Sequence, residues 1–411
     1  MSGQSKKRLP GPLDGIRIVE YAIWHAGPGG SAILADMGAE VIKIETLTGD
    51  PERTQARLGT MDFDSSPKSN WSFLFEFSNR NKKGICLDIH TVKGRRIFNR
   101  LIESADVFLT NLRKSTKPRL GVDYATLSKI NPKIIHASVS GFGPEGSMSD
   151  IGAFDPMGQA ISGMVFLTGP DEPVLLQSVV LDQMTAIASS HAMITALFVR
   201  ERHGIGQEVH VSLYSSALWL MHSNLLSTSL LKGGSSLRWD RLRNSPLRNC
   251  IKCKDGNWIM GTNHPEQKFW PDFCRITEQE HLRDDPLFAT AEARGKNAVE
   301  LMKIFDAVFL TRTRDEWLPM LQDKGLMFAP VQTLEEVLVD PQATVNDYVV
   351  DFDHPSLGQV RLPGYPVHFS ANSAGPHTAA PDQGEHTQLV LTEMGYSDSE
   401  IDSLEKENVI K

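Results

Sequence analysis

Apolar runs and amphipathic stretches alternate along the first half of the chain. Residues 16–23 (IRIVEYAI) form a mostly apolar run of the length of a buried strand. His25-Ala26-Gly27-Pro28-Gly29-Gly30 follows as a turn, residues 31–37 predict a short helix closed by Gly38, and 40–45 predict the next strand. A connection of this length implies a parallel pair. The pattern repeats, with strands expected at 84–89, 106–112 and 133–140 and helices at 91–104 and 124–130. This is the pattern of an α/β fold, a doubly wound parallel sheet with helices on both faces. Such sheets bind ligands at the carboxyl ends of their strands, which directs attention to the loops at 24–30, 46–52, 111–119 and 140–146.

A helix at 183–202 is apolar on nearly all sides and is expected to be buried. A strand at 208–213 leads into a helix from Tyr214. The chain then changes character, with a flexible Lys232-Gly233-Gly234-Ser235-Ser236 stretch and basic residues from Arg238 to Arg248. The expected domains are 1–225 (the first part of a large domain), 226–340 (a small domain) and 341–411 (a return to the large one). In the small domain, 250–262 reads as a hairpin turning at Lys254-Asp255-Gly256, with helices at 266–276, 291–309 and 314–323. From 345 the chain becomes β-rich, 370–384 reads as an extended linker, and 385–394 as a helix. Ser397-Asp398-Ser399-Glu400 is a capping box that opens the last helix.

Composition narrows the function. Hydrophobic residues make up 40% and charged residues 22% of the 411, as in an ordinary globular protein, and the formal net charge of -8 disfavours a nucleic-acid partner. There is no apolar leader after Lys6-Lys7-Arg8 and no run of about 18 apolar residues, so neither secretion nor a membrane span is expected. Four cysteines are too few for a disulfide framework and fit a cytoplasmic protein. Cys250-x-x-Cys253 lacks a second pair or nearby histidines, and no metal is expected.

Three features carry candidate chemistry. Gly27-Pro28-Gly29-Gly30-Ser31-Ala32 fits G-x-G-x-x-A after a strand, and Glu45 lies 18 residues beyond the first glycine. Pro28, however, removes an amide that a pyrophosphate would need. The turn is a dinucleotide site, a site for another phosphate-bearing ligand, or a close-packed corner. Asp182 opens the apolar helix. It reads either as an N-cap, or as a carboxylate held ionised by the helix dipole and able to act as a nucleophile. Asn79-Arg80-Asn81-Lys82-Lys83 is either a solvated turn or a phosphate contact. His136, within a strand, reads as a core residue. No Ser-His-Asp spacing or HExxH pattern is present.

Residues across the whole chain resemble one family. Pro12-Leu13-Asp14-Gly15-Ile16-Arg17-Ile18-Val19, Ala26-Gly27-Pro28 and Met37-Gly38-Ala39-Glu40-Val41-Ile42-Lys43-Ile44-Glu45 are similar to the start of the class III coenzyme A transferases, the formyl-CoA and carnitine CoA-transferase type. Asn81-Lys82-Lys83, Leu87-Asp88-Ile89, Ala105-Asp106-Val107 with Asn111, and Arg119-Leu120-Gly121 continue the likeness. Further on, Asn131-Pro132-Lys133, Ser138-Val139-Ser140-Gly141-Phe142-Gly143, Gln159-Ala160 with Ser162-Gly163, Gly206-Gln207 and Gly384-Glu385-His386-Thr387 also fit.

The resemblance implies a Rossmann-like large domain, a smaller α+β domain, and two subunits threaded through each other as an interlocked dimer or as a heteromer with a homologous chain. It implies CoA contacts at His25, Ala26, Asn111, Leu112, Arg119 and Ser140, and a catalytic aspartate at Asp182 that forms a covalent aspartyl intermediate. CoA and acyl-CoA are then substrates, with no prosthetic group. Three positions depart from the family pattern. Thr46-Leu47 stands where some members carry an Arg. Ser245-Pro246-Leu247-Arg248 stands where formyl-CoA transferases carry a glycine lid. Phe154 precedes Asp155 where the related racemases carry a catalytic His, which speaks against the alternative of an acyl-CoA racemase or isomerase. A non-catalytic CoA-binding subunit is the other alternative. The overall pattern looks more like members acting on larger or aromatic acids, such as benzylsuccinate CoA-transferases with succinyl-CoA as donor.

Overall fold

The computed structural model describes residues 9–57, 72–168, 172–231 and 240–411. The chain divides into two compact units. The first comprises Met1–Val165, Leu175–Lys232 and Asp347–Lys411, and the second Phe166–Val174 and Gly233–Asn346.

The first unit is built on a six-stranded sheet of β1 (Arg17–Tyr21), β2 (Glu40–Glu45), β3 (Lys83–Cys86), β4 (Val107–Thr110), β5 (Ile135–Ser140) and β6 (Gln207–Ser212). The strands run in the order β3-β2-β1-β4-β5-β6, and every neighbouring pair is parallel. This is the doubly wound sheet expected from the alternating pattern. Period-two alternation sends neighbouring residues to opposite faces. Val19, Ile42 and Phe108 pack with Phe98 and Leu101 of the Val92–Glu103 helix and with Val390, Leu404 and Ile410 near the C-terminus. Ile18, Val41 and Val107 pack on the other face with Leu34, Met193 and Leu197. Both faces of the central strands are covered, so β1, β2 and β4 are buried almost throughout, whereas the edge strand β6 (QEVHVS) keeps alternate residues exposed.

The long helix spans Val180–His203, three residues earlier than the pattern indicates, and ends at Gly204 in the left-handed conformation. It buries small residues such as Ala186 and Ser189 against the Pro28–Asp36 helix, while Ile187 and Phe198 face outward.

In the second unit β7 (Cys250–Lys252), β8 (Trp258–Gly261) and β9 (Phe328–Val331) form an antiparallel sheet. Strand β9 is absent from the sequence reading because Pro330 disguises it. As an edge strand it tolerates a residue that donates no ladder hydrogen bond. The helix expected over 291–309 is two, Ala291–Lys296 and Ala298–Phe309. Between them Asn297 turns its side-chain amide onto the carbonyls of Leu287 and Ala293, competing with the helical ladder. Trp270, Phe273, Phe305, Phe309 and Trp317 fill the core of this unit. The returning chain of the first unit adds the hairpin β10 (Val349–His354) and β11 (Gly358–Pro363). None of the described helices is long and apolar enough to cross a membrane.

Candidate active site

Strand order reverses between β1 and β4, the place where a doubly wound sheet leaves a crevice at its carboxyl edge. Tyr21 pairs with Thr110, so the two strands end level and their loops leave side by side. The Asn111 amide ties them together. Its Oδ1 accepts from the Ile23 N–H at 3.1 Å, and its Nδ2 donates to the Ile23 carbonyl at 2.5 Å. Trp24 then adopts φ of 61°, a left-handed conformation uncommon for a bulky residue. Its ring meets that of Phe154 edge-on, with centroids 5.3 Å apart.

The glycines that follow are a packing device. The Gly29 N–H donates to His25 O and the Gly30 N–H to Gly27 O, so neither amide is open to a phosphate. A Cβ at Gly29 would lie 2.6 Å from the His25 ring, and one at Gly30 would lie 2.1 Å from Ser189 Oγ. The dinucleotide-like motif is therefore the close-packed corner, shaped by the approach of the Val180–His203 helix.

His25 is buried, and both ring nitrogens are engaged within the chain. Nδ1 lies 2.9 Å from Ser78 Oγ, and Nε2 lies 2.8 Å from Gln183 Oε1. Phe77 stacks on the ring at 4.2 Å between centroids. Burial, with a smaller contribution from nearby Arg80 and Lys82, lowers the imidazole pKa to about 4, so the ring is neutral at physiological pH. Ser78 also lies 3.2 Å from Glu52 Oε1. Burial, assisted by the neighbouring Asp50 carboxylate, raises the Glu52 pKa to about 8.

Beneath the site lies a fully buried ionic cluster. Glu20 accepts from Lys43 and Lys82, and Lys43 also reaches Asp50 at 2.9 Å. Burial alone would raise Glu20, but the two ammonium groups outweigh it and hold its pKa near 2. The Asn79–Lys83 turn is accordingly not a phosphate contact. Arg80 pairs with Asp36, Lys82 with Glu20, and Lys83 with Glu40 and Glu393.

Asp182 stands in the first turn of the Val180–His203 helix, but it is not the N-cap. That position is Val179, which makes no side-chain cap. Asp155 caps the helix from outside, its Oδ2 accepting from the N–H groups of Leu181 (2.6 Å) and Asp182 (3.1 Å). Gln159 Nε2 holds the other Asp155 oxygen at 2.6 Å. The helix terminus is thus already occupied by one carboxylate. Burial first, and repulsion from Asp155 second, raise the Asp182 pKa to about 7. The expectation that the dipole keeps Asp182 ionised is corrected, because desolvation and a like charge overcome it.

The predicted residues fall into two groups. His25, Ala26 and Asn111 gather at the β1–β4 crevice, and the His25–Gln183 bond joins them to Asp182. Leu112 and Ser140 line a cavity of about 300 Å³, together with Lys117, Ser138, Glu208 and His210. Lys117 Nζ donates to Ser138 Oγ at 2.6 Å, and burial lowers its pKa. Arg119 is exposed on the same short helix, Thr116–Arg119. Spacing along the chain does not single out Trp24, Glu52, Ser78, Asp155, Lys117 or Gln183 as neighbours of these residues; the fold brings them there. A carboxylate one residue after an exposed aromatic, as in Phe154-Asp155, was the available signal for one of them.

The family model for CoA-transferase family III matches residues 13–387. An acyl-CoA transferase of Fusarium pseudograminearum is 32% identical, over 99% of this chain and 90% of that protein. An (R)-2-hydroxy-4-methylpentanoate CoA-transferase of Clostridioides difficile is 29% identical, over 97% of this chain and 99% of its own. The crystal structure of a CAIB/BAIF family protein from Brucella suis superposes with a TM-score of 0.82 at 28% identity, covering 94% of this chain and all of that one.

Proposed function

The chain belongs to CoA-transferase family III, enzymes that move CoA between acyl-CoA thioesters and carboxylic acids, and from that premise we propose that Asp182 carries the transfer as a covalent aspartyl intermediate. The observation behind this reading is a desolvated carboxylate at the carboxyl edge of the sheet whose pKa is raised to about 7. Its ionised form is weakly solvated and correspondingly nucleophilic.

The steps balance without metal or nucleotide. The Asp182 carboxylate attacks the donor thioester carbon, the C–S bond breaks, and CoA thiolate leaves a mixed anhydride. The thiolate then attacks Asp182 Cγ, releasing the donor acid and forming an aspartyl-CoA thioester. The acceptor carboxylate attacks the same carbon, expelling thiolate and forming a second anhydride. Thiolate attack on the acceptor acyl carbon releases the new acyl-CoA and restores the Asp182 carboxylate.

The nucleotide part of CoA is assigned to the cavity of Leu112, Lys117 and Ser140 and to Arg119 outside it, and the β1–β4 crevice with His25, Ala26 and Asn111 leads toward Asp182. The acceptor is a bulky, largely apolar acid, with aromatic acids such as benzylsuccinate within the class and succinyl-CoA as donor. Trp24 and Phe154 support this. Trp24 precedes His25, which binds the residue after Asp182, and Phe154 precedes Asp155, which binds the Asp182 N–H, so the aromatic pair flanks the nucleophile. The Clostridioides difficile relative is named for a branched aliphatic 2-hydroxy acid, in keeping with an apolar acyl side. The active assembly is an interlocked dimer in the cytoplasm. Trp219 and Leu230 are 68% and 72% exposed in the single chain, an apolar surface suited to a second subunit.

The test is covalent capture. The protein is incubated with succinyl-CoA, quenched with hydroxylamine, and its peptides are mapped by mass spectrometry. A hydroxamate at Asp182, absent from Asp182→Ala, is expected. CoA binding without any adduct from several acyl-CoA donors would instead mark a non-catalytic subunit.

A further inference from the structure

The proton positions around His25 follow from the geometry. Nε2 faces the oxygen of the Gln183 amide, so Nε2 carries a proton and donates it. The ring is neutral, so Nδ1 has none and accepts from the Ser78 hydroxyl. That hydroxyl has a single proton, already given to His25. Ser78 Oγ lies 3.2 Å from Glu52 Oε1, where it would donate to a carboxylate; with its proton donated to His25, the contact is closed by a neutral Glu52 carboxyl donating in the opposite sense. Burial of Glu52 favours that neutral acid, and its other oxygen has no hydrogen-bond partner among the described residues, a state more tolerable for a neutral acid than for a carboxylate. All donors therefore point one way, Glu52 to Ser78 to His25 to Gln183.

This direction decides how the Gln183 amide is turned. Its oxygen is held by the buried ring, so its N–H₂ group points away from His25. No described residue accepts from that nitrogen, and Gln183 is half-buried next to Asp182 on the same helix turn. A fixed, unpartnered donor beside a nucleophile is the arrangement that stabilises negative charge developing on an acyl oxygen.

We propose that Gln183 is a catalytic donor for the carbonyl oxygen of the acyl group joined to Asp182, and that His25, Ser78 and Glu52 are positioning residues that keep its N–H₂ turned toward that oxygen. The proposal rests on Asp182 being the nucleophile. Gln183 binds the tetrahedral oxyanion more strongly than the planar carbonyl, so it acts on kcat more than on KM. Ser78 acts one bond further back, through the ring.

The experiment measures transfer kinetics and hydroxylamine capture at Asp182 in parallel. Gln183→Met removes the donor at nearly constant volume. Gln183→Glu keeps an oxygen for His25 and serves as a second variant should the first fail to fold. Both are expected to lower kcat by about 10²–10³-fold with KM for acyl-CoA nearly unchanged, the size of effect seen on removing one oxyanion donor. Asp182 still forms its adduct in both, more slowly. Ser78→Ala is expected to lower kcat less, about tenfold, again at constant KM, while ¹⁵N NMR of labelled histidine shows the loss of a single, neutral Nε2–H tautomer for His25. Wild-type kcat in either Gln183 variant overturns the proposal, as does a loss confined to KM. Absence of the Asp182 adduct from the wild-type enzyme is a different result, and it removes the Asp182 reading itself.

Discussion

At the scale of single residues, Asp182 is defined by its neighbours. Two carboxylates compete for one helix terminus, and Asp155, which accepts both free N–H groups, takes the stabilised place. Asp182 is left with burial and repulsion, and it titrates near 7. On the proposed mechanism the attacking group is its ionised form, so the rate is expected to rise with pH through about 7 and level off above it. Asp155→Asn keeps an oxygen for the cap but removes the charge. The midpoint of the rate profile is then expected to fall by about one unit. An unchanged midpoint would show that burial alone sets it.

The same shift affects stability, and its sign is definite. Between pH 4 and 7 the folded protein retains on Asp182 a proton that the unfolded chain has released. Folded molecules bind more protons there, so stability falls as pH rises through this window. With the pKa moved from 3.8 to about 7, the loss is up to about 4 kcal/mol by pH 8. Asp182→Asn, expected to lose transfer on the proposed mechanism, escapes this loss, and urea denaturation at pH 8 should find it more stable than the parent, with the difference vanishing near pH 4.

At the scale of elements, the Pro28–Asp36 and Val180–His203 helices approach so closely that only glycine fits at position 30. Gly30→Ala drives a methyl into Ser189 Oγ, and a cost of about 1–3 kcal/mol is expected from overpacking. Ser189→Ala removes that oxygen, leaving the next contacts, Ser189 Cβ and the Ala186 carbonyl, at 3.3 Å. The double variant should recover much of the loss, and a double-mutant cycle in urea measures the recovery. Simple additivity would mean that the glycine serves something other than this contact. His25 belongs to the same corner, because its ring fills the space that Gly29 leaves open.

At the scale of the whole molecule, the parallel sheet is closed on both faces, yet large apolar side chains remain outside. Trp219 and Leu220 lie on the Leu213–Leu220 helix, and Leu225, Leu226 and Leu230 on His222–Leu230. Sedimentation should therefore give the mass of two chains. Interlocked chains must unfold to separate, so that mass is expected to persist on dilution to nanomolar concentration. A monomer at any concentration would remove the proposed assembly.

Much of this was legible along the chain because it depends on local periodicity. The alternation of strand-length segments with helices and the amphipathic Val92–Glu103 helix declare themselves by spacing, and the Ser397 capping box forms as its sequence indicates. Family membership was legible too, since its motifs are ordered over the whole length. The motif at Gly27 was legible as a pattern but not in its meaning, since the partner that explains it, Ser189, lies more than 150 residues away. The protonation of Asp182 and the direction of the Glu52–Ser78–His25–Gln183 chain were not legible at all. They arise when segments near 25, 52, 78, 155 and 182 converge at one edge of the sheet. Sequence determines which residues can form strands and helices because hydrophobic burial repeats with the backbone period. Tertiary structure alone decides which carboxylate caps the helix and how far the pKa of Asp182 is raised, because desolvation and Coulomb repulsion depend on distance in space and not on distance along the chain.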